Sequence, residues 1–405
     1  MRTKQASMLF IFVTVMLDMI GIGLIIPSLP DVMRRFVSGE AAVSEYFGYF
    51  IAAYALMQFV ASPLLGALSD RFGRRPVLLI SLLMAALDYV LMALAPNLEI
   101  LFIGRVISGL TGASVTVAMA YVADVSDESN RSANFGKIGA AFGLGFIIGP
   151  ALGGLIGSYD PRAPFLLAAG MNLLNFFFGL LILPESVPVS QRKRMELKRL
   201  NPLATLVRIF RLPGMITLAL VFFMASFAGN THGVIWTLYM ESRYGWTAAG
   251  VGASLALVGV LAAISQGYLT GKIVGYFGEA KTVLYGFLGY VVAFTLFGAA
   301  TEGWMIITVL ITTSVFMVTQ PALQSLLAKS APPEAQGELQ GSLVSLQSLA
   351  AIINPLITSR LFAHFNAEGA NPRIPGAPYY FSALVCALGV PFLLAAYRRH
   401  HVKLL

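Results

Sequence analysis

The sequence predicts an all-α membrane protein with twelve transmembrane helices, arranged as two pseudo-symmetric six-helix bundles. Three observations support this fold class. The 405-residue chain is 57% hydrophobic and only 11% charged, whereas soluble domains carry about 25% charged residues. Twelve apolar stretches reach the roughly 20 residues needed to cross a bilayer. Five residue pairs also recur at a common offset of 205 positions.

The predicted spans fall into two sets of six, separated by a polar segment. They cover residues 8–29, 46–68, 77–95, 100–122, 134–157 and 163–183, then 213–239, 249–270, 282–299, 305–327, 337–362 and 379–396. We therefore expect an N-terminal bundle over residues 1–184, a basic cytoplasmic linker over 185–212 and a C-terminal bundle over 213–405. Apolar residues spaced along the linker predict a partly interfacial amphipathic helix there.

The repeat consists of five residues of the first half that recur in the second. Gly66, Phe72, Gly73, Gly136 and Pro150 recur as Gly271, Phe277, Gly278, Gly341 and Pro355. Duplicated six-helix halves predict a substrate site between them, near the bilayer midplane. The second half has Gly275, Glu279 and Ala280 where the first has Asp70, Arg74 and Arg75, so we expect the charged loop network to be asymmetric.

The net charge of +8 is divided among short loops and forms no patch, which argues against a nucleic-acid partner. Most of the 27 lysines and arginines lie in loops on the same side as the N-terminus, which predicts that both termini are cytoplasmic. We expect a multi-pass protein of the inner (plasma) membrane, monomeric and embedded in lipid. The single cysteine, Cys386, excludes an intrachain disulfide. We find no nucleophile–base pair or phosphate loop, and so do not predict an enzyme.

Residues 66–76 form a charged turn between the second and third spans, which must lie at a water interface. Gly66 and Gly73 are expected to allow turn geometry or close backbone approach. The charged residues suit a network that locks helices in one conformation and releases them in another. They are Asp70, Arg71, Arg74 and Arg75, and Asp124, at the cytoplasmic end of the fourth span, is expected to pair with Arg74 or Arg75. The alternative is a basic loop that only sets topology.

Three ionisable residues lie at membrane depth: Asp18 in the first span, Asp88 in the third and Arg105 in the fourth. Such residues are costly in lipid and usually face a cavity or a pathway. Removing a carboxyl group from water favours its protonated form. Our hypothesis is that Asp18 carries protons, with Asp88 and Arg105 assisting. The alternative is that the acids only tie helices together and that backbone carbonyls hold Arg105.

Two further sets of residues are candidates for function. Small residues interrupted by proline form a predicted pliant helix, called here the glycine seam: Gly145, Gly149, Pro150, Gly153 and Gly154. Ordinary close helix packing is the alternative for this set. Polar and aromatic residues within spans are candidates for a substrate cavity or for helix–helix contacts: Gln58, Tyr121, Asn172, Asn230, His232, Trp236, Gln266, Gln320, Gln324 and Gln347.

Several of these motifs resemble those of major facilitator superfamily transporters. The 66–76 loop resembles the signature between their second and third helices, and residues 104–113 resemble their fourth-helix motif, which is linked to proton movement. The glycine seam resembles their antiporter motif. Further segments, including residues 17–24, 69–78 and 321–324, resemble bacterial tetracycline/proton antiporters, and this resemblance covers essentially the whole chain.

The resemblance implies the major facilitator fold, alternating access and export of a metal–tetracycline chelate in exchange for protons. It implies no resident cofactor, since a divalent metal enters as part of the substrate. Those antiporters carry an acid in the ninth helix and a histidine in the eighth, where this chain has Gly289–Tyr290 and Ala262–Ala263. We therefore predict a proton-coupled exporter of amphipathic small molecules. The alternatives are a lipid or metabolite exporter, or a receptor or scaffold that does not transport.

Overall fold

The computed structural model describes residues 2–127, 130–192, 201, 215–332, 335–367 and 369–399, and these residues form fifteen α-helices and no β-strand. The first eight are α1 (Arg2–Ile25), α2 (Leu29–Arg34), α3 (Glu40–Phe72), α4 (Arg74–Ala93), α5 (Leu98–Gly112), α6 (Ser114–Val125), α7 (Arg131–Gly157) and α8 (Ala163–Ile182). The others are α9 (Met215–Tyr244), α10 (Ala248–Ile264), α11 (Thr270–Ala299), α12 (Gly303–Thr313), α13 (Thr319–Ser330), α14 (Gln336–Asn366) and α15 (Ala377–Arg399). Most of the predicted linker, including its amphipathic helix, lies outside the described residues.

Eleven continuous helical segments of the described residues are long and apolar enough to cross a membrane. The longest, Ala248–Ala299, has 52 residues and is broken at Gly278, where φ is +75°. An α-helix needs φ near −63°, so this break divides the segment into two spans. The described residues therefore provide twelve spans, and the predicted all-α fold is confirmed.

The sequence repeat is visible in the backbone. Gly73 and Gly278, 205 positions apart, both have positive φ, +103° and +75°. Each glycine turns the chain between two membrane-length helices, in a conformation that residues with a Cβ rarely adopt. Pro150 and Pro355, another equivalent pair, both lie inside long helices, α7 and α14.

The charged turn is shorter than predicted. Helix α3 continues to Phe72, so that Gly66 and Asp70 are helical and only Gly73 turns the chain. An ion pair between Asp70 at the end of α3 and Arg74 at the start of α4, at 2.7 Å, bridges this glycine. The prediction that Gly66 allows close approach is wrong, because a Cβ there would meet no described atom within 4 Å.

The contacts divide the chain into two compact units. The first comprises Met1–Ser38, Ala53–Asn201 and Thr247–Gly259, and the second comprises Gly39–Ala52, Pro202–Trp246 and Val260–Leu405. The first unit has a hydrophobic core formed by α1, α4, α6 and α7, with Phe10, Leu78 and Tyr121 fully buried. All the ionisable residues predicted at membrane depth belong to this unit.

The glycine seam lets α7 lie directly against α1. A Cβ at Gly153 would lie 2.1 Å from the Leu24 carbonyl oxygen, and one at Gly149 would lie 2.8 Å from that of Ile20. Gly154 faces another helix of the same unit, since its Cβ would lie 2.2 Å from the carbonyl oxygen of Ala248 in α10. Small residues are thus required on two sides of α7, and the contact fixes the position of α1.

This packing predicts opposite effects for two alanine substitutions in α7. Gly153→Ala should lower the free energy of unfolding by about 1–3 kcal/mol, because the added methyl group overlaps the α1 backbone. Gly143→Ala is the matched control: a Cβ at Gly143 meets no described atom within 4 Å, and alanine stabilises a helix by about 0.5–1 kcal/mol over glycine. Thermal unfolding of both variants in detergent tests the prediction, and equal melting temperatures would contradict it.

Candidate functional site

Asp18, half-buried on α1, lines a small polar cavity in the first unit. The Ser114 hydroxyl of α6 donates a hydrogen bond to Asp18 Oδ2 at 3.4 Å. The cavity has a volume of about 30 Å³, enough for one or two water molecules. Its lining residues are Asp18, Ile22, Tyr54, Ser81, Leu82, Ala85, Tyr89, Ser108, Thr111, Gly112, Ser114 and Asn172. The sequence predicted that the Asp18 carboxyl faces a cavity, and this placement agrees with it.

Asp88 lies on α4 and is 2% exposed. The Ser108 hydroxyl of α5 donates a short hydrogen bond to Asp88 Oδ2. The other carboxylate oxygen, Oδ1, is buried without a hydrogen-bond partner and lies against Gly104, where a Cβ would be 3.1 Å away. Because Ser108 also lines the cavity, both membrane-depth acids are connected to the same small space.

Arg105 is 3% exposed, and its guanidinium carbon lies 4.1 Å from the centroid of the Tyr54 ring. A cation over an aromatic face is stabilised by the ring quadrupole, most strongly where water is excluded. The ring can lie this close because α5 carries small residues opposite α3. A Cβ at Gly109 or Gly112 would lie within 2.7 Å of Tyr54 atoms.

Arg74, 9% exposed, is the centre of the predicted cytoplasmic network. Its side chain contacts Asp70 at 2.7 Å, the Ser69 hydroxyl at 2.6 Å and Asp124 at 3.0 Å. The predicted pairing of Asp124 with an arginine of this turn is confirmed. Arg71, by contrast, lies 5.1 Å from the Phe72 ring centroid on the exposed side of α3.

Glu185 joins this network, and the sequence interpretation did not identify it. Its carboxylate accepts hydrogen bonds from the backbone N–H groups of Arg74 at 2.8 Å and Arg75 at 3.3 Å. These groups open α4, where a negative charge is favoured by the helix dipole. A Cβ at Gly73 would lie 2.2 Å from Glu185 Oε2, so the glycine also makes room for the acid. The sequence signal that could have identified Glu185 is a single acidic residue directly after an apolar span.

The second unit contains a charge-inverted counterpart of the Arg74–Asp124 pair. Glu279 and Lys329 lie 205 positions beyond Arg74 and Asp124, and Lys329 Nζ contacts Glu279 Oε1. Ser325 also donates to Glu279 at 3.2 Å. The two charged networks therefore differ, as the sequence predicted, but the second half keeps this contact with both signs reversed.

The candidate cavity residues are dispersed, and among the described residues only Asn172 lines the Asp18 cavity. Tyr121 donates to the Pro184 carbonyl at 3.0 Å, Asn230 to Ser226 at 2.8 Å, Gln320 to Ser226 at 3.2 Å and Gln58 to Gly112 at 3.3 Å. Gln266, Gln324 and Gln347 lie on Ser265–Leu269, α13 and α14. Contact of these residues with substrate stays a prediction.

His232 lies in an aromatic cluster of the second unit. Its ring centroid is 4.6 Å from that of Phe297 and 5.5 Å from those of Phe294 and Tyr379, and Trp236 lies 5.4 Å away. Trp236 is 1% exposed, so it packs inside the cluster. The His232 Nδ1 atom and the Tyr379 hydroxyl are buried without hydrogen-bond partners.

Twelve apolar spans among the described residues, with buried ionisable groups in the first unit, define a multi-pass membrane protein. The sequence profile described as "Major Facilitator Superfamily" matches residues 11–355 and 218–403. The chain belongs to the major facilitator superfamily.

Several proteins similar in sequence to this chain are named tetracycline or multidrug resistance proteins. The chain is 41% identical to "Tetracycline resistance protein, class C" of Escherichia coli, over 90% of this chain and 91% of the relative. It is 39% identical to the class B protein of Escherichia coli over 87% of both. It is 30% identical to "Multidrug resistance protein 2" of Bacillus subtilis over 85% of both.

Solved structures with similar folds are also transporters. The human organic anion transporter MFSD10 (TETRAN) superposes with a TM-score of 0.69 at 24% identity, covering 96% of this chain and 99% of that one. A bacterial homologue of the human lysosomal transporter Spinster, inward-facing and unoccupied, gives a TM-score of 0.79 at 13% identity, covering 98% and 97%. At these identities the likeness supports the fold alone.

The geometry around Arg74 predicts a difference between two arginines of one turn. Arg74→Ala should lower the free energy of unfolding by about 1–3 kcal/mol, because Asp70 and Asp124 lose their buried partner. Arg71→Ala, the control, removes an exposed side chain and should change it by less than about 0.5 kcal/mol. Thermal unfolding in detergent distinguishes the two, and a larger loss in Arg71→Ala would contradict this assignment.

Proposed function

We propose that this protein is a proton-coupled antiporter that exports amphipathic small molecules, tetracycline-like compounds first, by alternating access. The observation that carries the proposal is the Asp18 carboxyl on a polar cavity inside an apolar bundle. An ionisable group at membrane depth facing a cavity is typical of a proton pathway. Relatives about 40% identical over most of the chain, named tetracycline resistance proteins, support the substrate class.

The residues have distinct proposed roles. A proton arriving from outside neutralises Asp18 and changes its contact with Ser114, which biases the equilibrium between conformations. Substrate and proton then compete for one population of conformations. The Arg74 network latches the outward-open state, and the glycine seam holds α1, and therefore Asp18, in place while α7 bends at Pro150.

We propose that residues of the first half alone couple substrate transport to proton movement. Where the tetracycline antiporters carry an acid in the ninth helix, this chain has Tyr290, whose ring packs 5.9 Å from that of Phe294. Residues 282–299 contain no acid. Asp18, Asp88 and Arg105 are therefore the proposed coupling groups. Because the ninth-helix acid is replaced, the alternative candidate is an exporter of a lipid or metabolite on the same scaffold.

The proposal also includes the membrane, the oligomeric state and the orientation of the transporter. We place it in the inner membrane as a monomer with both termini in the cytoplasm, because lysine and arginine are concentrated in the loops on that side. It needs no resident cofactor, and a divalent metal crosses only as part of a chelated substrate.

Asp18→Asn tests the coupling role. In proteoliposomes, uptake of a compound panel led by tetracycline with Mg²⁺ should lose its response to an imposed pH gradient, because the amide cannot bind the proton. Counterflow, which exchanges substrate without net proton movement, should persist. Asp31→Asn is the control, since Asp31 pairs with Arg34 on α2. Full pH-driven transport by Asp18→Asn would exclude the proposed role, and a wild-type protein without counterflow would indicate a receptor or scaffold.

Asp124→Asn tests the latch. Weakening the 3.0 Å contact with Arg74 should reduce the outward-open population, because the neutral amide attracts the guanidinium less strongly. Distances between paired spin labels on the two halves would report the populations. Unchanged populations would count against a latch at this position.

A further inference from the structure

The two membrane-depth acids of the first unit do not hydrogen-bond to each other, yet each receives a serine hydroxyl from the same stretch of chain. Ser114 donates to Asp18 at 3.4 Å, and Ser108 donates a short bond to Asp88. Both serines line the cavity of about 30 Å³. Asp18 lines the cavity directly, and Asp88 is connected to it through the Ser108 hydroxyl.

Water in this cavity would have polar partners. The Asn172 side chain lines the cavity and is 1% exposed. Its Nδ2 donates to the Ala168 carbonyl at 3.0 Å, whereas its Oδ1 is buried without a partner. The Tyr89 hydroxyl lies beside Gly21, one turn from Asp18, at 3.2 Å from an ideal Cβ there. A buried water needs two to four such partners.

We infer that water in this cavity and the Ser108 hydroxyl form a proton relay between Asp18 and Asp88. Protonated Asp18 gives its proton to a water molecule, which passes one to Ser108 Oγ as Ser108 releases its own proton to Asp88 Oδ2. At the end Asp18 is charged, Asp88 is neutral, and water and serine are unchanged. The reverse sequence returns the proton. The inference rests on the proposed antiport and makes Ser108 a positioning and relay residue within it.

Asp88 can receive the proton at Oδ2, because the Ser108 hydroxyl already contacts this oxygen. Once Oδ2 is protonated, its O–H can donate to Ser108 Oγ, so the contact is kept with its direction reversed. Asp88 Oδ1 is buried without a hydrogen-bond partner among the described residues, so the transfer breaks no other hydrogen bond of this carboxyl group. Two other ionisable groups line this space, the Tyr54 and Tyr89 hydroxyls. The Arg105 guanidinium, stacked on the Tyr54 ring at 4.1 Å, interacts electrostatically with both tyrosines and with Asp88.

Ser108→Ala tests the relay in proteoliposomes with tetracycline and Mg²⁺ as the probe. Uptake driven by a pH gradient should fall about tenfold or more, because proton transfer loses its carrier. Counterflow should stay within about twofold, because substrate exchange needs no proton transfer. Ser108→Thr keeps the hydroxyl and should retain at least about half the wild-type rate. Ser62→Ala is the control, since that hydroxyl bonds only the Gln58 carbonyl at 2.7 Å.

Two results would overturn the relay. One is pH-driven uptake by Ser108→Ala at the wild-type rate. The other is an equal loss of uptake and counterflow in Ser108→Ala, or an equal defect in Ser108→Thr, because either would indicate packing as the role of Ser108.

A second measurement needs no substrate and therefore separates failure of the relay from failure of the proposed function. After a pH jump, infrared difference spectroscopy of purified protein reports the carboxyl band of protonated Asp88, identified by its absence in Asp88→Asn. Its appearance should slow about tenfold or more in Ser108→Ala and in Asp18→Asn, each of which removes one member of the relay. Unchanged kinetics in both variants would exclude the relay, whichever compound the protein exports.

Discussion

The first unit depends on the pairing of each ionisable group that it holds away from water. A charged side chain at the bilayer centre costs about 2.5–3.5 kcal/mol on the insertion scale, and one hydrogen bond to a charged group returns about 1.5–3 kcal/mol. Asp18 and Asp88 each receive a serine hydroxyl, and Arg105 stacks on Tyr54. These contacts offset part of the cost of burying the three groups.

Close packing of glycine places these groups where they meet. Gly145, Gly149 and Gly153 bring α7 against the α1 backbone, and Gly109 and Gly112 bring α5 against Tyr54 of α3. A methyl group at these points would overlap atoms of the neighbouring helix. The positions of Asp18 on α1 and of Tyr54 on α3 therefore depend on the small residues that pack against those helices.

The twelve spans, the repeat and the membrane-depth residues could all be predicted from the sequence, because hydropathy and buried charge are local signals. The pairing of Asp124 with an arginine was also accessible, since both lie at the same membrane face. The roles of Glu185 and Tyr54 could not be predicted, because each contacts a residue that is far away in sequence. An acid after a span and a tyrosine within a span are also common, so neither residue stands out in the sequence. The length of α3 was underestimated because the helix begins at Glu40 and ends at Phe72, and the polar residues near both ends lie outside the apolar stretch that hydropathy detects.

The reversed signs of Glu279 and Lys329 relative to Arg74 and Asp124 constrain how the duplicated halves can be recombined. A chimera that replaced residues 271–281 with the equivalent 66–76 segment would place an arginine opposite Lys329, and the converse graft would place a glutamate opposite Asp124. Both grafts create like-charge repulsion where the native chain has attraction. Both turns contain a glycine with positive φ. They are nevertheless not interchangeable, because each carries a charge opposite to that of the helix end it contacts.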